Sequence, residues 1–304
     1  MKSIVTGGAG FIGSNLVDKL LDIGHEVIVI DDESSDAHEN FYWNEKTSNY
    51  KLNICDYDSI ISLFDGVDYV FHLAAEARIQ PTILNPVLAA KTNFLGLCTV
   101  LQASRESGVK RVMYSSTSSA YGLINGSPQV ETMQRDCLNP YSMTKCAGED
   151  LCKLYHDMYG LETVSFRYFN VYGERQPRRG QYAPVIGIFL RQLEEGTIPT
   201  VVGDGKQRRD FVHVGDVVEA NILAMQSDNK DIFSGPINIG TGVNYDMHDL
   251  LKILKEKDTL VEGTDFVYLP KREGEARITL ADTTRCRDLF GWTPIDRLKE
   301  WLNG

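Results

Sequence analysis

Two side chains at helical spacing carry the first chemistry of this sequence. Tyr141-Ser-Met-Thr-Lys145 would set a phenol and an ammonium at i and i+4 on one helix face. A phenolate can take the proton of an alcohol, but a free tyrosine, with a pKa of about 10, is not ionised at neutral pH. Nearby positive charge, of which Lys145 is one source, would lower that value. The same spacing at Tyr42-Trp-Asn-Glu-Lys46 has no supporting neighbours. Upstream of Tyr141, the run Tyr114-Ser-Ser-Thr-Ser-Ser-Ala-Tyr-Gly122 offers hydroxyls that could bond a substrate alcohol and relay its proton. Taken singly, each could equally cap a strand end.

A second constellation binds rather than reacts. In Thr6-Gly-Gly-Ala-Gly-Phe11-Ile12-Gly13, Gly8, Gly10 and Gly13 satisfy G-x-G-x-x-G, and Gly7, Gly10 and Gly13 give G-x-x-G-x-x-G. Bare backbone N–H groups at a helix start suit a pyrophosphate. Asp31, closing the next β-branched run, can accept both hydroxyls of an adenosine ribose. With Asp32 and Glu33 it would repel a 2′-phosphate, which favours NAD over NADP. The oxidised nicotinamide is then the second positive charge available to Tyr141. Asp56, just beyond Ile54, comes within reach of an adenine by fold analogy, although a turn aspartate there needs no ligand. In His72-Leu73-Ala74-Ala75 two small residues would let the backbone approach the cofactor, and His72 reads as a core histidine.

These residues need elements to hold them. Strand patterns at 2–6, 26–31, 50–54, 69–73, 111–116 and 163–168 alternate with helical patterns at 10–22, 59–64, 87–107 and 141–159. That alternation predicts an α/β fold, a Rossmann-type doubly wound parallel sheet with helices on both faces. After Tyr168 the rhythm changes, with glycine, proline and arginine dense in Gly173-Glu-Arg-Gln-Pro-Arg-Arg-Gly180, and a helical pattern at 214–225 returns to the first unit. The expected division is an NAD-binding domain of residues 1–168 plus about 212–240, and a smaller discontinuous α/β substrate domain of about 169–211 plus 241–304, with the ligand in the crevice between them.

Composition excludes several classes. At 304 residues with 42% hydrophobic and 24% charged side chains, the chain is an ordinary globular sequence, not a disordered or repetitive one. A net charge of −11 argues against nucleic acid, which requires a basic face. Six cysteines without C-x-x-C or metal spacing read as reduced thiols, and no metal is expected. The apolar start is cut by Gly7, Gly8 and Gly10, and no later stretch has the length of a membrane span. The expected location is cytoplasmic.

The sequence resembles the extended short-chain dehydrogenases/reductases, and among them the nucleotide-sugar epimerases of the UDP-glucose/UDP-N-acetylglucosamine 4-epimerase type. The resemblance runs along nearly the whole chain, through 6–13, 72–75, 115–122, 141–145, Arg167-Tyr-Phe-Asn-Val-Tyr-Gly173, Gly203-Asp-Gly-Lys-Gln-Arg-Arg-Asp-Phe211, Arg272-Glu-Gly-Glu275 and Leu289-Phe-Gly-Trp-Thr-Pro294. It implies that Tyr141 is the base, that Lys145 holds the nicotinamide ribose and tunes Tyr141, and that Thr117 stands for the family's catalytic serine or threonine. Ile54, Leu73, Ala74, Ala75, Asn93, Ser115 and Tyr168 would complete the cofactor site. Asn170, Arg209 and Arg272 would hold the substrate diphosphate, and Glu275 replaces an aspartate that contacts the nucleotide ribose. A dianionic diphosphate needs such charge-assisted donors. Arg178, Arg179 and Arg208 read instead as solvated surface charge. Homodimerisation through the helices at 87–107 and 141–159 is a further implication.

Departures from the family narrow the reaction. Related dehydratases carry Asp-Glu directly after the catalytic threonine, and related decarboxylases a glutamate at the second position; here stand Ser118 and Ser119. Serine cannot supply the extra acid/base pair of an elimination, which favours oxidation and re-reduction at the sugar C4. Thr279 falls where a bulky tyrosine restricts some relatives to unmodified hexoses. The smaller side chain favours UDP-N-acetylglucosamine/UDP-N-acetylgalactosamine, with UDP-glucose/UDP-galactose also possible substrates. The alternatives are a UDP-glucuronate 4-epimerase, another dehydratase or decarboxylase of the superfamily, or a non-catalytic NAD sensor. A sensor gains nothing from keeping Tyr141, Lys145 and Thr117 together. The segment 32–44, rich in acids and aromatics, has no functional reading from sequence.

Overall fold

Alternating apolar residues in the strands sort the first part of the chain into two buried faces. A computed structural model describes residues 1–35, 38–179, 183–256 and 266–304. Residues 36 and 37 of the acidic segment, Gly180 of the arginine-rich stretch and 257–265 of the expected second domain lie outside the described residues. The strands are β1 (Lys2–Thr6), β2 (Glu26–Asp31), β3 (Ser48–Lys51), β4 (Tyr69–His72), β5 (Arg111–Thr117), β6 (Glu162–Tyr168), β7 (Asn170–Tyr172), β8 (Thr200–Val202), β9 (Arg209–His213), β10 (Ile237–Ile239), β11 (Asn244–Tyr245) and β12 (Val267–Leu269). The helices are α1 (Phe11–Asp22), α2 (Tyr57–Ile60), α3 (Ile79–Leu84), α4 (Pro86–Ala90), α5 (Gly96–Glu106), α6 (Pro140–Tyr159), α7 (Val185–Glu194), α8 (Val214–Gln226), α9 (Met247–Glu256), α10 (Thr284–Phe290) and α11 (Leu298–Asn303).

The large sheet has seven strands in the order β10-β6-β5-β4-β1-β2-β3, and every pairing in it is parallel. Ile4, Ile28, Ile30 and Val112 pack with Leu101 of α5 and Tyr155 of α6. Their neighbours Val5, Val27 and Val29 pack with Leu16 of α1 and Ile222 of α8 on the opposite face. This is the Rossmann-type doubly wound arrangement. Its strand order reverses between β1 and β4, where the carboxyl edge opens a crevice. A three-stranded sheet, β11-β9-β7, and the pair β12-β8 lie beside a third core built from Tyr172, Ile186, Phe189, Leu250 and Leu298.

Two elements depart from the sequence expectation. The third strand runs Ser48–Lys51 rather than 50–54, because the Asn53 side chain accepts from the Cys55 amide and turns the chain out of the sheet. The helical pattern at 87–107 is broken. Asn85 caps α4, a π-helical turn covers Lys91–Leu95, and α5 follows. Asn93 in that turn is pulled inward by bonds to the Glu76 backbone and the Thr144 hydroxyl, which accounts for the extra residue in the turn.

The helix that positions Tyr141 is firmly bounded. Asn139 caps α6 by accepting from the Ser142 amide at 2.8 Å, Pro140 occupies the first turn, and Gly160 ends the helix at φ +71°. Gly148 lets α6 approach β5: a Cβ there would collide with the Tyr114 hydroxyl, which itself donates to the Lys145 carbonyl at 3.2 Å.

Candidate active site

One cleft of about 600 Å³ runs along the carboxyl edge of the large sheet. Its first third is the glycine turn between β1 and α1. Gly7 has φ +70°, and a Cβ there would lie 2.7 Å from the Ala74 amide; a Cβ on Gly13 would strike the Gly7 carbonyl. Helix α1 starts on Gly10 with no side-chain cap and no acid in its first turn, so its N–H groups and positive end face the cleft unmet. This backbone cradle fits the diphosphate of a dinucleotide. Phe11, Ile12, Ile54 and Leu73 furnish apolar wall, and Ala74 and Ala75 bring bare backbone to the edge.

Asp31 is fixed over this cradle. One carboxylate oxygen accepts from the Ala9 amide at 3.1 Å and the other from the Glu33 amide at 2.9 Å. Burial pushes its pKa up, opposed by those two backbone bonds. Each oxygen keeps a lone pair for a ribose hydroxyl. Asp32, on the same wall, accepts from Ser34 and Asn53, so the ribose end is doubly acidic.

In the middle of the cleft β5 and α6 meet. Lys145, 3% exposed, donates to the Ser115 carbonyl at 2.8 Å, and burial pushes its pKa down to about 7. Tyr141 is raised by burial; a hydrogen bond with Thr117 and then the Arg78 guanidinium pull it back. The Thr117 hydroxyl accepts from the Ser119 amide at 3.1 Å, which leaves its proton to donate to the Tyr141 oxygen. The Lys145 ammonium is turned to the Ser115 carbonyl of β5, and the cation whose charge lowers Tyr141 is Arg78. Ser115, Ser118, Ser119 and Tyr168 all line the cleft.

Beneath these residues lies a buried ionic network. Arg167 grips Glu149 through two bonds of 2.9 and 2.8 Å, Arg135 adds a third at 3.0 Å, and the Ser116 hydroxyl donates to the same carboxylate. The far end of the cleft carries Arg209, Arg272 and Glu275. Glu275 sits 3.6 Å from Arg209 and 4.0 Å from Arg272, so two cations share one acid and an anion can enter between them.

Three expected contacts are placed differently. Asn93 is buried behind the wall with its amide engaged by Glu76 and Thr144, and does not line the cleft. Asp56 also lies off the cleft, accepting from Ser59 at the start of α2. Asn170 lines it, but its amide N–H₂ is spent on the Asp210 carbonyl and the Thr279 hydroxyl, at 3.1 and 3.3 Å; it must rotate before it can donate to a phosphate. Thr279 is on the wall, 8% exposed. Arg208, Arg178 and Arg179 pair with surface acids, as surface charge should.

Arg78 escaped sequence reasoning. It is half-buried on the cleft wall, at the start of α3, and its charge is felt at Tyr141. The available signal was an arginine in the loop after a parallel strand of an acidic chain. His38 and Phe41, from the segment without a sequence reading, line the cleft as well.

The NAD dependent epimerase/dehydratase family matches residues 3–240. The UDP-glucose 4-epimerase of Mycolicibacterium smegmatis is 34% identical over 99% of this chain and 96% of its own. The Thermotoga maritima UDP-glucose 4-epimerase, solved with UDP-glucose, superposes with a TM-score of 0.92 at 38% identity, covering 100% of this chain and 96% of that one. A UDP-N-acetylglucosamine 4-epimerase from Methanobrevibacter ruminantium, solved with UDP-N-acetylmuramic acid, gives 0.91 at 34% identity, covering 99% and 96%. A glycine cradle that fits a diphosphate and a match of this extent lead to one placement: the chain belongs to the NAD dependent epimerase/dehydratase family, as an extended short-chain dehydrogenase/reductase of the nucleotide-sugar epimerase type that uses NAD.

Proposed function

We propose that this enzyme interconverts the C4 epimers of a UDP-hexose, with UDP-N-acetylglucosamine and UDP-N-acetylgalactosamine as the principal pair and UDP-glucose and UDP-galactose as further substrates. The observation that carries the reading is that Tyr141 and Thr117 share one cleft wall with the glycine cradle, Arg209 and Arg272. NAD, when bound, supplies reversible oxidation of the C4 carbinol. As the phenolate, which Arg78 and the positive charge of bound NAD would favour, the Tyr141 oxygen takes the C4 hydroxyl proton through the Thr117 hydroxyl and later returns it. Lys145 holds the nicotinamide ribose. Arg209 and Arg272 keep the diphosphate anchored while the 4-keto ring turns its other face inward, with Glu275 toward the nucleotide ribose. Thr279 in place of a bulky side chain supports room for an N-acetyl group. Ser118 and Ser119 beside Thr117 favour epimerisation over elimination.

The same reading covers the chain's organisation. Residues 1–168 with about 212–240 form the NAD unit, supported by the return of α8 and β10 to the large sheet; about 169–211 with 241–304 form the nucleotide-sugar unit. A second copy of the chain covers the exposed apolar side chains Val87, Leu88, Phe94, Met143 and Met158 of the helices at 87–107 and 141–159. A particle of 34.1 kDa in solution would contradict that dimer. Among the described residues no helix is long and apolar enough to cross a membrane. A reducing, cytoplasmic setting is supported by cysteines that are unpaired.

The test is incubation without added NAD with UDP-hexoses, UDP-N-acetylhexosamines and UDP-uronates, reading C4 configuration by NMR. Inversion of the N-acetylhexosamines supports the reading. Turnover of uronates alone would move the chain to the chemistry named for another structural neighbour, a UDP-glucuronic acid 4-epimerase.

A further inference from the structure

Thr279 reaches the cleft on an extended stretch that is gripped from both sides. Its own amide donates to the Arg208 carbonyl at 3.0 Å, and the Ala281 amide donates to the buried Asp210 carboxylate at 3.0 Å. The alternate amides face the other way. Leu280 N–H meets the Gln129 Oε1 at 2.6 Å, and Asp282 N–H meets the Gln129 carbonyl at 2.9 Å. The Gln129 amide returns a bond to the Leu280 carbonyl at 2.7 Å, and its Nε2 one to the Ile278 carbonyl at 3.3 Å. Successive amides thus alternate between the β9 side and Gln129, as in the middle strand of a sheet, and both sides pair in the parallel sense.

Both grips are anchored in turn. Asp210 also accepts from the Thr241 amide and hydroxyl, each at 2.8 Å, and from the Gly242 amide at 2.9 Å, which fixes β9 against the turn between β10 and β11. Gln129, 3% exposed, lies in the connection between β5 and α6, the elements that bear Thr117 and Tyr141. Its carbonyl accepts from Asn238 of β10 at 2.9 Å, and Asn238 accepts from the Tyr121 hydroxyl at 2.6 Å. Gln129 itself does not line the cleft.

In an extended stretch a slip of one residue exchanges the two faces. Thr279 lines the cleft, whereas its neighbours Ile278 and Leu280 do not. Either neighbour is larger than threonine and carries no hydroxyl, so a slip would fill the space assigned above to an N-acetyl group. We propose that Gln129 is a positioning residue for sugar selectivity. With Asp210 opposite, it locks the register that presents Thr279, and it ties that wall to the connection joining Thr117 and Tyr141. Its side chain supplies the acceptor for the Leu280 amide, so selectivity depends on a residue that does not touch the ligand. The proposal rests on the sugar pocket assigned to Thr279 and deepens it.

The test is calorimetric binding of UDP, UDP-glucose and UDP-N-acetylglucosamine to the NAD-loaded protein, comparing the parent with Gln129→Met. Methionine keeps the length of the side chain and loses both amide hydrogen bonds. Affinity for UDP-N-acetylglucosamine should fall about 10-fold relative to UDP-glucose, as when a pocket wall gains bulk, with UDP held within about twofold. Gln129→Glu keeps the acceptor for Leu280 and loses the donor to Ile278, so it should shift the ratio less, in the same direction. An unchanged ratio in a folded Gln129→Met overturns the proposal. So does an equal weakening of all three ligands, which would make Gln129 a support of the fold alone. If Gln129→Met does not fold, parental ratios in both Gln129→Glu and Asp210→Asn overturn it equally. The parent by itself tests the underlying reading: no gain of UDP-N-acetylglucosamine over UDP would remove the N-acetyl pocket before any variant is compared.

Discussion

Asn139 ties the catalytic helix to the Gly274 carbonyl. Its Oδ1 accepts from the Ser142 amide at 2.8 Å, capping α6 beside Tyr141, while its Nδ2 donates to Gly274 O at 2.8 Å, between Arg272 and Glu275. Gln80 adds a parallel bond to the Glu273 carbonyl at 2.8 Å. Asn139→Asp keeps the cap and loses the donor, so it should raise KM for the UDP-sugar with a smaller change in kcat. Asn139→Ala loses both bonds, and should also cost about 1–2 kcal/mol in urea unfolding through the cap. An unchanged KM in Asn139→Asp would show that the tie does not serve the substrate.

Removing the phenol hydroxyl tests the reacting centre. Tyr141→Phe should lower turnover by about 10²–10⁴ while bound NAD, measured spectroscopically, stays at its parental level. Thr117→Val should lower turnover too, because it removes the hydroxyl proposed to relay the proton between substrate and phenol. Activity retained in Tyr141→Phe would strip that residue of its role.

His72 makes the fold acid-sensitive. Its Nδ1 is 2.9 Å from the Thr6 hydroxyl, its Nε2 has no partner among the described residues, and burial with the Lys145 charge pushes it down to about 3. Below an unfolded value of about 6.5 the unfolded chain binds a proton that the folded chain refuses, so stability falls as pH drops from about 6.5 towards 3. His72→Asn keeps a polar partner for Thr6 and removes this titration. Between pH 7 and 5 the variant should lose about 1–2 kcal/mol less than the parent in urea unfolding. Parallel losses would show that His72 does not titrate in this way.

Glu149 should be the costliest acid to remove. Arg167 and Glu149 are each 2% exposed, and Glu149→Ala strands a buried guanidinium beneath the Ser116–Thr117 end of β5. The expected loss is about 3–5 kcal/mol in chemical denaturation. A loss below about 1 kcal/mol would mean that the Glu131 carbonyl and solvent already satisfy the Arg167 guanidinium.

The legible parts of this molecule were those governed by local pattern. The glycine turn, Asp31 and the i, i+4 pair of Tyr141 and Lys145 follow from spacing alone, and the parallel sheet follows from strand–helix alternation. Side-chain direction was not legible. Lys145 sits one turn from Tyr141 yet turns to the Ser115 carbonyl, and Asn170 spends its amide on Asp210 and Thr279, because each is settled by a strand distant in sequence. Asn93 is held by Glu76 and Thr144 and Asp56 by the neighbouring Ser59, and neither lines the cleft. Arg78 carries no motif, and only the folding of α3 against α6 brings its charge to Tyr141.

The central claim is that the hydrogen on the sugar C4 leaves and returns without meeting water. UDP-N-acetylglucosamine carrying deuterium at C4, incubated with the protein and no added NAD, tests it by NMR. The account predicts the galacto epimer with deuterium still on C4. Epimer whose C4 deuterium has been replaced by solvent hydrogen would contradict it.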